Sequence, residues 1–158
     1  MSAKSTQQAA RTAADIMSKE PVCISPDMSL REFLSLLSEN EFSGAPVINA
    51  QGKVIGVVSA TDLIRRLAEG TLDVSPAQMF DLLGDQGAAD FDIDADVSLC
   101  VEDIMSEDAV TVGRSETIQA IAKRMASESI HRIIVVDDEQ FPIGIVTSLD
   151  ILRVFPEM

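Results

Sequence analysis

Two short strings hold the residue types with the most chemistry to offer. Ser59-Ala60-Thr61-Asp62 and Thr147-Ser148-Leu149-Asp150 each place a hydroxyl three residues before a carboxylate. At a helix start such a pair can face one ligand, with the unpaired backbone N–H groups holding phosphate or ribose oxygens. The carboxylate would accept hydrogen bonds from vicinal ribose hydroxyls, as acidic residues do in dinucleotide folds. The plainer alternative makes Ser59 and Thr147 N-caps and Asp62 and Asp150 first-turn acids favoured by the helix dipole. Both readings stand at this point.

Catalysis has little else to work with. The chain has one histidine, His131, and two cysteines, Cys23 and Cys100, each flanked by apolar residues. That set makes no nucleophile–base pair, so the expectation is a non-enzyme with no catalytic residue, no metal and no required cofactor. The thiols are expected buried and reduced. A calcium loop has one candidate, because Asp92-x-Asp94-x-Asp96 opens like an EF-hand and Asp103 falls at its twelfth position. Val97 stands where the sharp turn needs Gly, and Asp103 replaces the bidentate Glu. A solvated acidic linker running through Asp90–Asp96 is the preferred reading.

Charge narrows the partners. With 26 Asp plus Glu against 12 Lys plus Arg, the 158-residue chain carries a net −14. Such a surface repels polyphosphate, and with no Trp and no Tyr the best base-stacking side chains are missing, so nucleic acid is excluded as a partner. No apolar stretch reaches the length of a membrane span, which predicts a cytoplasmic protein with no membrane attachment.

The elements that must position these residues come twice. At an offset of 88, 11 of the 51 positions in 15–65 match those in 103–153 without a gap, from Asp15-Ile16-Met17-Ser18 through to Arg65. Each copy reads as β-α-β-β-α. An apolar run (Val22–Ile24; Val110–Val112) precedes a helix capped by Ser29 or Thr117. Two strands follow, Pro46–Ile48 and Lys53–Ser59, then Ile133–Val136 and Ile143–Thr147. Polar turns of hairpin length, Asn49–Gly52 and Asp137–Gln140, join them. A last helix begins near Thr61 and near Leu149, and Gly70 ends the first. The expected organisation is a flexible tail over 1–12, units over 13–70 and 101–158, and an acidic linker over 71–100 with a short helix after Ser75-Pro76. The fold class is α/β (α+β), two similar units with pseudo-twofold symmetry.

The paired signatures resemble a tandem of CBS (cystathionine-β-synthase-type) domains, often called a Bateman module. They are Asp-Ile-Met-Ser at the head of each copy, Ser43-Gly44-Ala45-Pro46-Val47, and the closing strings Gly56–Asp62 and Gly144–Asp150. The string His131-Arg132-Ile133-Ile134-Val135-Val136-Asp137 is similar to one in the regulatory gamma subunit of AMP-activated protein kinase, where the His and Arg reach nucleotide phosphates. The resemblance implies an adenosine-containing ligand held by Asp150, Thr147, His131 and Arg132. Val22, Cys23 and Ile24 would border the adenine, and Ser43, Gly44, Ala45 and Pro46 would close over it. A second, weaker site would use Asp62, Ser59, Thr111, Val112 and Ile133.

Ser43-Gly44 aligns with His131-Arg132, so only the Asp150 site is expected to have a guanidinium beside it. That favours AMP there, with ATP and S-adenosylmethionine as other adenosyl ligands. The resemblance also implies a regulatory, energy-sensing role, a homodimer, and an effector protein reached in trans. A ligand-free homodimeric interaction module is the alternative.

Overall fold

Apolar runs between polar turns form the strands, and apolar residues at every third or fourth position form the helices. The computed structural model describes residues 11–40, 42–72 and 99–155; the run Asp90–Asp96 and the helix expected after Ser75-Pro76 lie outside the described residues. In chain order the elements are α1 (Ala13–Ile16), β1 (Ser18–Lys19), α2 (Leu30–Asn40), β2 (Gly44–Ile48), β3 (Val54–Ser59), α3 (Ala60–Ala68), a 3-10 turn (Val101–Asp103), β4 (Thr111–Gly113), α4 (Ile118–Glu128), β5 (Arg132–Val136), β6 (Pro142–Thr147) and α5 (Ser148–Val154).

The chain divides into two units, Val22–Ala109 and Met1–Pro21 with Val110–Met158. The first pairs β2 and β3 antiparallel around a core that includes Ile24, Leu30, Phe33, Val47, Val58 and Leu63. The second carries a sheet in the order β1-β6-β5-β4, with β4 and β5 parallel and the other pairs antiparallel. Its core includes Ile121, Met125, Ile133, Val135 and Val146. Burying each such side chain contributes about 1.5–3 kcal/mol, which is why these positions of the helices and strands turn inward.

The units do not follow the sequence repeats. Asp15–Ser18 heads the first copy but packs on the second: Ser18 pairs with Ile145, and Thr12 bridges Thr117. The counterpart segment returns the exchange, with Ser106 bridging Val57 and Cys100 bridging Ser29. Every one of these partners is the other's counterpart at the 88-residue offset, so the two exchanges match position for position. The exchange explains two glycines. A Cβ on Gly56 would lie 2.6 Å from the Ser106 carbonyl oxygen, and one on Gly144 would run into the Met17 side chain. Arg11 and Thr12, the end of the expected tail, join the exchange: Ile118 N–H donates to the Arg11 carbonyl at 3.0 Å and Thr12 stands at the N-cap of α1, while 1–10 lie outside the described residues.

A second correction concerns the strand expected at Val22–Ile24. Only Ile24 bridges β2, through Ile24 N–H to Pro46 O and Ile48 N–H to Ile24 O, both 2.9 Å. In the second copy the ladder starts earlier, with Ile134 N–H donating to Val110 O at 3.3 Å. Pro46 stands where Ile134 does and has no N–H to give, so the first copy loses that rung.

The helix ends follow local chemistry. Ser29 Oγ accepts from Glu32 N–H at 3.2 Å, and Thr117 Oγ1 accepts from Ala120 N–H at 3.2 Å. Gly70, at φ 67°, closes α3: its N–H reaches Leu67 O, and Thr71 N–H reaches Arg66 O, a Schellman pair.

Candidate functional site

Both strings fold as a strand running straight into a helix, and a helix start leaves N–H groups without partners. In the first unit Ser59 ends β3 and caps α3. Its Oγ accepts from Asp62 N–H at 3.3 Å, while Asp62 Oδ2 accepts from Ser59 N–H at 2.7 Å and from Ser59 Oγ at 2.9 Å. Asp62 Oδ1 takes Nη2 of Arg65. In the second unit Thr147 Oγ1 accepts from Asp150 N–H at 3.2 Å, and Asp150 Oδ2 accepts from Thr147 N–H at 2.8 Å. Asp150 Oδ1 lies 3.6 Å from Nη1 of Arg153, an ion pair without hydrogen-bond contact. Reciprocal capping of this kind contributes about 1 kcal/mol per helix. The capping alternative is therefore realised in both turns. It spends one carboxylate oxygen and leaves the other for a further donor.

The backbone brings the neighbouring strings to the same place. Ala60 N–H donates to Ser43 O at 3.1 Å, and Ser148 N–H donates to His131 O at 2.9 Å. Register sets Gly44 opposite Ser59 and Arg132 opposite Thr147. Ile24 bridges Val47 and donates its N–H to Pro46 O, and Thr111 and Val112 pair with Ile134 and Val135. One unit thus gathers Val22–Ile24, Ser43–Pro46, Ser59 and Asp62. The other gathers Thr111, Val112, His131, Arg132, Ile133, Thr147 and Asp150. Each holds the carboxylate of one expected site and the adenine-bordering segments of the other.

Burial refines the roles. Ile24, Ala45, Val112 and Ile133 face the cores, so what they can offer a ligand is backbone. Val22 is exposed, and Cys23 is half-buried. The expectation of buried thiols holds only in part, since Cys100 is half-buried too. Burial pushes the Cys23 thiol above its ordinary pKa. Cys100 is pushed the same way, by burial first and then by Asp103, Glu102 and Asp27. Both favour the unreactive thiol form.

The expectation that only the Asp150 turn has a guanidinium beside it fails, because Arg65 sits on Asp62. The sequence carried a signal for this. Arg65 and Arg153 are among the identical positions of the two copies, three residues after each Asp, the spacing at which helix side chains meet.

Residues 13–69 and 101–157 each match the family model of the CBS domain. The chain is a tandem pair of CBS domains. It is 32% identical over 148 residues to protein MJ1426 of Methanocaldococcus jannaschii, covering 88% of each chain. The structure is similar to the CBS domain pair of protein MJ0100 in complex with 5-methylthioadenosine and S-adenosyl-L-methionine. That likeness has a TM-score of 0.70 and 25% identity, over 91% of this chain and 98% of that one. Bos taurus 5'-AMP-activated protein kinase subunit gamma-3 shares 29% over 123 residues; the match takes 76% of the CBS pair but 21% of that longer subunit. Among the described residues, no helix is long and apolar enough to cross a membrane.

Proposed function

We propose that this CBS pair is a regulatory module that binds an adenosine-containing ligand, AMP in preference to ATP or S-adenosylmethionine, and signals to a partner protein in trans. The observation that supports this most is the convergence of Thr147, Asp150, Arg132 and the His131 backbone on one strand-to-helix turn. Asp150 Oδ1 receives a ribose hydroxyl, and the start of α5, Arg132 and His131 receive the phosphate. Val22–Ile24 and Ser43–Pro46 border the adenine. Ser59, Asp62, Thr111, Val112 and Ile133 serve a weaker second site. The complex of the MJ0100 pair, in a similar fold, holds two adenosyl compounds and supports the ligand class. The net −14 charge disfavours the more highly charged ATP at long range. A cytoplasmic location goes with this reading.

The test is direct because the chain has no Trp and no Tyr, so bound adenine dominates its near-ultraviolet absorbance. Protein equilibrated with AMP, desalted and denatured should release adenine from wild type and none from Asp150→Ala. No adenine from wild type after millimolar AMP would overturn the reading.

A second reading, a ligand-free homodimeric interaction module, has its own observation. Ile64 and Leu152, at matching positions of α3 and α5, are 62% and 63% exposed, and Leu149 and Phe155 are exposed with them. Apolar side chains in the open invite a second copy. Sedimentation of a dimer that Ile64→Asp or Leu152→Asp dissociates, in protein that takes up no AMP or adenosine, would support it; a 17.0 kDa monomer at high concentration would count against it.

A further inference from the structure

We infer that Arg65 weakens the hold of the Asp62 turn on a ribose, by occupying the carboxylate oxygen that the capping box leaves open. The inference rests on the adenosine-binding reading above and assigns a residue that sets the difference between the two turns. Asp62 Oδ2 is committed to Ser59 N–H and Oγ, and Oδ1 carries the Arg65 guanidinium. Asp150 Oδ2 is committed in the same way to Thr147 N–H, but its Oδ1 stands 3.6 Å from Arg153 Nη1. A vicinal diol is a donor pair looking for a carboxylate acceptor, and an ionised carboxylate has no donor of its own with which to compensate.

At Asp150 the diol meets an oxygen with room to accept. At Asp62 it must compete with the guanidinium for Oδ1. The Arg65 side chain is 54% exposed, so once displaced it passes into water, and the competition is that of a half-solvated ion pair. That corresponds to about a five-fold loss of affinity for a diol at Asp62. Arg65 acts through Asp62 and touches no ligand itself, so it is a specificity-determining residue of this turn.

Calorimetric titration with adenosine, in Asp150→Ala against the double variant Asp150→Ala/Arg65→Gln, isolates the Asp62 turn. The double variant should bind adenosine about five-fold tighter, with no gain for 2′,3′-dideoxyadenosine, which lacks the diol. Arg153→Gln in the wild-type background should leave adenosine affinity within about two-fold, because that contact is already open. An unchanged or weaker affinity in the double variant, or an equal gain for the dideoxy probe, would overturn the role of Arg65. Wild-type protein that binds neither adenosine nor AMP would instead remove the adenosine reading on which the inference rests.

Discussion

Ser59–Arg65 and Thr147–Arg153 are one device built twice and finished differently. In both, a hydroxyl and a carboxylate cap a helix reciprocally, with N–H to Oδ2 distances of 2.7 and 2.8 Å. That shared work accounts for the Asp in each copy without any ligand. The differences carry the functional argument. Asp62 carries the Arg65 guanidinium, whereas Asp150, buried to a similar degree, stands apart from Arg153 and has Arg132 on the adjoining strand where the first copy has Gly44. In a repeat protein, identity between copies points first to architecture, and departure between them points to function.

The largest effect that would sharpen this comparison is at Arg132. Arg132→Ala should weaken AMP by roughly 10–100-fold and adenosine little, the size of a charge-assisted bond to phosphate. Equal losses for both ligands would mean that Arg132 supports the fold. Next come the glycines under the exchanged segments. Gly56→Ala drives a Cβ into the backbone oxygen of Ser106 and should cost about 1–3 kcal/mol in urea unfolding at unchanged m. Gly144→Ala meets the Met17 side chain along Sδ, Cγ and Cβ; rotation about χ1 relieves the first two and leaves Cβ at 3.0 Å, so it should cost less than a backbone clash. Equal costs would show that the two copies yield alike. The smallest effect is at the hairpin turns. Gly52 sits at φ 84° and its counterpart Gln140 at φ 71°, so Gln140→Gly should add about 1 kcal/mol of stability, and a loss would break the parallel.

Most of the elements were legible because their causes are local. Leu30, Phe33, Leu34 and Leu37 recur at helical spacing, and Ser29, Thr117, Gly70 and Asn49–Gly52 mark ends and turns by side-chain or backbone chemistry. What the sequence did not disclose is non-local. Nothing in Asp15-Ile16-Met17-Ser18 says that it docks on β6 and not on its own copy, since both copies carry the same Gly-x-Val partner string. Pro46 did announce a missing donor, but its cost depends on which segment lies beside it. At the site, the hydroxyl, the carboxylate and the cap were all readable. The i,i+3 spacing allows an ion pair at Arg65 and at Arg153 alike, so spacing alone does not tell which copy closes.

Two matching caps that serve unequal ligand sites must respond unequally to the loss of each carboxylate. AMP is titrated calorimetrically into wild type, Asp150→Ala and Asp62→Ala, with thermal unfolding of each variant confirming that the cap loss of about 1 kcal/mol leaves the protein folded. Asp150→Ala should abolish tight AMP binding, and Asp62→Ala should leave it close to wild type. Equal effects of the two substitutions, or an AMP affinity that survives Asp150→Ala, would show that the two turns are not unequal sites.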